Sequence, residues 1–81
     1  MEKVFVVTWT SCIVGESAHV LMGVNVFADK VAATKHMAGA VLSWVEESEK
    51  ELAFEIRGCG AYVRVSETTT YYWGIEEQEV L

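Results

Sequence analysis

Two thiols and two imidazoles, Cys12, Cys59, His19 and His36, are the side chains of this sequence whose types suit metal or nucleophilic chemistry. A protein-bound zinc needs such ligands to converge tetrahedrally, and sequences usually deliver them as closely spaced pairs. Here the successive separations are 7, 17 and 23 residues, which match no zinc pattern, and His36 falls on a helix face away from the expected core stripe. No metal site is expected. Thiol catalysis wants a cysteine beside a histidine that a carboxylate or amide orients. His19 could approach Cys12 across the first hairpin, but an inert thiol beside an ordinary strand histidine is the simpler expectation. Neither cysteine belongs to a C-x-x-C pair, and in a cytosolic protein both are expected as free thiols. A glycine-rich phosphate loop and a Walker-type lysine are absent, and the carboxylates lie in surface runs rather than around an evident cleft. The sequence therefore predicts no catalytic residue and no cofactor, and a protein that is not an enzyme.

Charge narrows the partners. The chain has a net charge of −6; residues 1–45 carry three acids and three bases, while residues 46–81 carry nine acids against Lys50, Arg57 and Arg64. Such a surface repels phosphate backbones, so direct nucleic-acid binding is not expected, whereas a basic protein partner is allowed. Tyr62, Tyr71 and Trp73 could form an aromatic sheet face on which bases stack, but that chemistry normally adds a basic groove, and glutamates surround the two arginines.

The elements that must position these residues follow from hydrophobic periodicity. At 81 residues there is room for one domain, 1–81, and one core. No apolar run approaches the roughly 18 residues of a membrane span, and Met1-Glu2-Lys3 leads straight into a strand pattern, so a cytoplasmic protein with no membrane partner is expected. Val4 to Trp9 is β-branched and aromatic at consecutive positions and predicts a strand buried on both faces over Lys3 to Thr10. Ser11 to Ala18 makes a polar connection, and His19 to Phe27 resumes as a second strand in a hairpin with the first. Asp29 is placed to cap a helix that runs to about Lys50. Leu52 to Arg57 and Ala61 to Val65 alternate around a Gly58-Cys59-Gly60 turn, and Thr69 to Gln78 closes a meander. The expected fold is α+β, a mostly antiparallel sheet of about five strands in the order β-β-α-β-β-β, with one helix packed on one face.

The helix has two apolar stripes. Val31, Ala38, Leu42 and Val45 fall on one, taken as the core face; Ala33, Met37, Ala40 and Trp44 fall on another, about 120–140° round the axis. One sheet face cannot cover so wide an arc. The second stripe is expected to meet the C-terminal segment, a second copy or another protein, unless Met37 and Trp44 merely flank a wide core. Glu46, Glu47, Glu49 and Glu51 crowd the helix C-terminus, where the macrodipole disfavours negative charge, and form a candidate acidic patch for a basic partner.

Three segments carry a resemblance: Val4-Phe5-Val6-Val7, then Gly23 to Lys30 entering the helix, then Ile75-Glu76-Glu77-Gln78-Glu79-Val80. They resemble the strand, strand–helix junction and terminal strand that recur in short, uncharacterised proteins of bacteriophages and bacterial mobile elements. This sequence departs from that pattern in its longer second half, with the Cys59 and Tyr62 hairpin. The resemblance transfers no functional residue; it implies a phage-encoded accessory protein acting in the bacterial cytoplasm. Together these features predict a non-catalytic protein-interaction module, a homodimer that inhibits or modulates a host enzyme or nucleic-acid-binding defence complex. The alternative expectation is a small-ligand-binding domain at a dimer interface, lined by Tyr62, Tyr71 and Trp73.

Overall fold

Val4 to Trp9 forms the middle of β1 (Glu2–Ile13) in the computed structural model, which describes residues 2–15 and 19–80 of the chain. β2 (Val20–Phe27) returns beside it, α1 (Lys30–Glu47) crosses the sheet, and β3 (Ala53–Ile56), β4 (Gly60–Arg64) and β5 (Thr69–Val80) follow as a meander. The five strands make one sheet in the order β2-β1-β5-β4-β3, every neighbouring pair antiparallel. The α+β fold and its β-β-α-β-β-β order are as the sequence predicts. β1 is three residues longer at its C-terminal end than expected, so the polar connection begins later; its Glu16, Ser17 and Ala18 lie outside the described residues. Gly15, just beyond β1, takes the left-handed conformation that only glycine adopts readily (φ 94°).

β1 and β5 pair along their full 12 residues, from Glu2↔Val80 to Ile13↔Thr69, and hold the two halves of the chain together. Registers assign the faces, because cross-strand partners share one side of a sheet. One side carries Phe5, Val7 and Trp9 of β1, Ile75, Trp73 and Tyr71 of β5, and Ala61 and Val63 of β4. α1 lies on this side. With Ala33, Met37 and Val41 of the helix, Val7, Ala61, Val63 and Trp73 form the buried core. The shortest dimension of the Cα framework is 16 Å, and the described residues make two layers, one sheet and one helix.

Asp29 caps the helix, its Oδ1 accepting from the Ala32 amide at 2.8 Å. The helix ends at Glu47, where Ser48 is already extended (φ −79°, ψ 137°), three residues earlier than predicted. Its rotation overturns the assignment of the stripes. Ala33 and Met37 are 0% exposed against the sheet, Ala40 packs on the same core, and Trp44 stacks on Tyr71 with ring centroids 4.9 Å apart. Of the expected interaction stripe, Ala33 and Met37 are therefore core and Ala40 is partly buried, while Trp44 at its end stays 37% exposed. Val31 (65% exposed) and Leu42 (40%), expected inside, face outward, while Val45 remains partly packed. The reason lies on the sheet. Trp9, Tyr71 and Trp73 crowd its helix side, so a close crossing needs alanines opposite them and the flexible Met37 to fill what remains.

Candidate interaction surface

The far side of the sheet has no cover among the described residues. Alternation puts Val4, Val6, Thr8, Thr10 and Cys12 of β1 there, and the registers Val6↔Val26 and Thr8↔Val24 add β2 valines beside them. The same strand that feeds Val7 into the core therefore presents Val4 and Val6 to the open side. On β2, Val24 is 51% exposed and Val26 61%. The run at Val4 to Trp9 is apolar at both parities; the expected burial of both faces is complete only at Val7 on the helix side, and Val4 and Val6 on the other side are half-buried with no layer packed over them.

Glu76 and Gln78 of β5 stand opposite Val6 and Val4 on this side, so the apolar stripe has an acidic flank. Further along, Tyr72 is paired with Tyr62, ring centroids 6.2 Å apart, and His19 lies 5.8 Å from Tyr72. Tyr62, Tyr72, Val14, Ala53, Arg64 and Thr70 line an open groove of about 500 Å³.

The expected aromatic trio Tyr62, Tyr71 and Trp73 is not one platform. Tyr71 and Trp73 point to the helix side, and Tyr62 shares the open side with Tyr72, the residue that the sequence reading passed over. Strand parity was the available signal, since in Tyr71-Tyr72-Trp73 the middle residue must oppose its neighbours. Both arginines near Tyr62 are engaged within the chain. Arg64 donates to the carbonyls of Ser66 (3.2 Å) and Glu67 (3.1 Å). Arg57 donates to Glu55 Oε1 at 2.8 Å, and the hydrogen bond and charge of Glu55 hold its guanidinium above the ordinary pKa.

The acidic candidates are all exposed. Glu46 and Glu47 end α1, and Glu49 and Glu51 lie in the connection to β3, the edge strand opposite β2 and its valines. The ion pairs among the described residues, Lys3–Glu77 and Arg57–Glu55, involve none of them.

The thiols are separate. Cys12 pairs with Thr70, whereas the Cys59 carbonyl accepts from the Ile75 amide at 2.9 Å. Thr70 and Ile75 are five steps apart along β5, about 17 Å, beyond the ~7 Å limit on Cα separation in a disulfide. His36 sits on the helix layer against Phe27, ring centroids 5.1 Å apart, with the sheet between it and Cys12. Among the described residues no three His, Cys, Asp or Glu side chains gather as metal ligands, and no helix is long and apolar enough to cross a membrane. No protein-family model matches the chain, and comparison with curated proteins and with solved structures finds no match either.

Proposed function

We propose that this chain is a non-catalytic protein-interaction module that docks its partner on the open sheet face, along the β1–β2 side. One observation carries this: half-buried Val4 and Val6 and exposed Val24 and Val26 form a contiguous apolar stripe on a sheet face over which no element of the described chain packs. Apolar surface gathered in one place on a small protein marks a contact site more often than apolar residues scattered singly do. Glu76 at the flank and the net charge of −6 define the complement, an apolar element rimmed by lysine or arginine. A basic partner, as expected from the sequence, then meets Glu76 rather than Glu46, Glu47, Glu49 and Glu51. An inhibitor or modulator of a host enzyme or nucleic-acid-binding complex fits such a surface. A photo-crosslinking side chain at Val26 tests it. The expected result is a discrete adduct with a different protein, separate from any adduct between two copies of the chain, competed away by excess wild-type protein but not by excess V24T/V26T. Equal competition by the two proteins would remove the valine stripe from the mechanism.

The groove beside Tyr62 and Tyr72 favours a second reading, a planar small molecule stacked on the tyrosine pair, since about 500 Å³ lies within the ~300–1,000 Å³ of small-molecule sites. A stabilising ligand in a thermal-shift screen, lost in Y72A, is the expected sign of it.

A further inference from the structure

We infer that two copies of this chain pair edge to edge through β2, antiparallel about a two-fold axis at Asn25, joining their five-stranded sheets into one of ten. The inference rests on the β1–β2 side being an interaction surface and names a second copy as an occupant of its edge.

The two edges of the sheet differ. β3 is four residues long, with Glu55 and the ion-paired Arg57 at its end. Short, charged edge strands are how proteins keep their sheets from joining others. β2 is eight residues, Val20-Leu21-Met22-Gly23-Val24-Asn25-Val26-Phe27, with neither a charge nor a proline. Alternate amides and carbonyls of an edge strand point away from its one partner and call for another. The single device that blunts this edge is a bulge, because Trp9 pairs with Gly23 and Thr10 with Leu21, leaving Met22 extra. The regular ladder is therefore Gly23 to Phe27.

That five-residue segment is self-complementary about its centre. A two-fold axis normal to the sheet keeps each face on its own side, so paired residues share parity and the axis passes through a residue. At Asn25 it sets Val24 opposite Val26 twice on the open face, Gly23 opposite Phe27 twice on the helix face, and the two Asn25 amides against each other. Moving the axis to Val24 would bring the bulged Met22 into the ladder opposite Val26. Charge also selects this edge. Two copies each at −6 repel, and β2 is the outer strand along which they approach without opposing carboxylates. The pairing closes on itself, since β3 offers no equivalent edge, and it sets the two valine stripes side by side as one wider docking face.

Light scattering on the full chain across a concentration series should give twice 9.0 kDa, and V24K/V26K, which puts four like charges at the junction, should weaken dimerisation at least tenfold with an unchanged circular-dichroism spectrum. In a C12S/C59S background, N25C should cross-link rapidly under mild oxidation, because directly opposed strand Cα atoms lie ~4.5–5.5 Å apart, within disulfide reach. E55C on the other edge should not. A mass of one copy throughout, faster cross-linking at E55C, or an open-ended polymer overturns the pairing. V24T/V26T separates this from the docking proposal, since it keeps the β2 ladder and removes only the apolar face. A dimer in that variant with undiminished partner binding overturns the docking alone; a monomeric wild type whose partner binding is lost in it overturns the pairing alone.

Discussion

The indole of Trp9 occupies the space above Gly23: a Cβ built on that glycine would lie 2.5 Å from Trp9 Nε1. A shift of Trp9 would disturb its stack on Trp73, with ring centroids 5.7 Å apart and planes within 7°, and its edge-on contact with Tyr71 at 5.6 Å. Gly23 is therefore required by close approach. Gly23→Ala should destabilise the fold by about 1–3 kcal/mol, as overpacking does, through displacement of the ring. Urea unfolding followed by tryptophan emission checks both parts; a change under about 0.5 kcal/mol with native emission would show that the ring is free to move.

Which helix stripe is core can be measured. Met37 is wholly buried between α1 and the sheet, and Met37→Ala should cost about 2–5 kcal/mol. Val31 is mostly exposed, and Val31→Ala should stay within about 0.5 kcal/mol. Comparable losses at the two positions would mean that the helix sits rotated from the arrangement described above.

That contrast shows where sequence patterning stops. Element order, the Asp29 cap and the three hairpins were all readable, because periodicity and turn residues act locally. Both helix stripes were visible as well, but the choice between them depends on Trp9 and Trp73, which reach α1 only through β1–β5 pairing. No local signal specifies that pairing, which joins residues more than 50 positions apart. The open-face valines of β1 illustrate the same limit. Val4 and Val6 are as apolar as Val7, and a strand buried on both faces looks the same in sequence as one whose second face awaits a partner.

Tyr62 and Tyr72 face each other across β4 and β5, whereas Tyr71 lies on the other side of the sheet, against Trp44. A double-mutant cycle on Tyr62 and Tyr72 should give a coupling of about 0.2–1 kcal/mol, the range for cross-strand aromatic pairs. The cycle on Tyr62 and Tyr71 should be additive within about 0.3–0.5 kcal/mol. Equal couplings would contradict the β4–β5 register.

Cys59 is exposed in the β3–β4 turn, and Cys12 is half-buried on β1. In native protein Cys59 should alkylate first, with the half-buried Cys12 following more slowly, and mild oxidation should not join the two within one chain. Mass spectrometry of partially labelled peptides resolves the order, and an intrachain Cys12–Cys59 bridge formed without unfolding would exclude this topology.

The ends of α1 should respond in opposite directions. At the N-terminus Asp29 satisfies the Ala32 amide, one of the four donors that a helix leaves without intrahelical partners, so Asp29→Ala should cost about 0.5–2 kcal/mol. At the other end the last turn has no basic residue and closes on Glu46 and Glu47, both exposed, where the partial negative charge of the helix terminus repels them. Glu47→Lys should stabilise the fold by about 0.3–1 kcal/mol in dilute buffer. Because that gain is electrostatic and at the surface, it should shrink towards zero near 1 M salt, where screening acts over ~3 Å, while the Asp29→Ala loss should largely persist. Urea midpoints for both variants at low and high salt decide this, and a Glu47→Lys gain that survives 1 M salt would assign the effect to packing instead of the helix dipole.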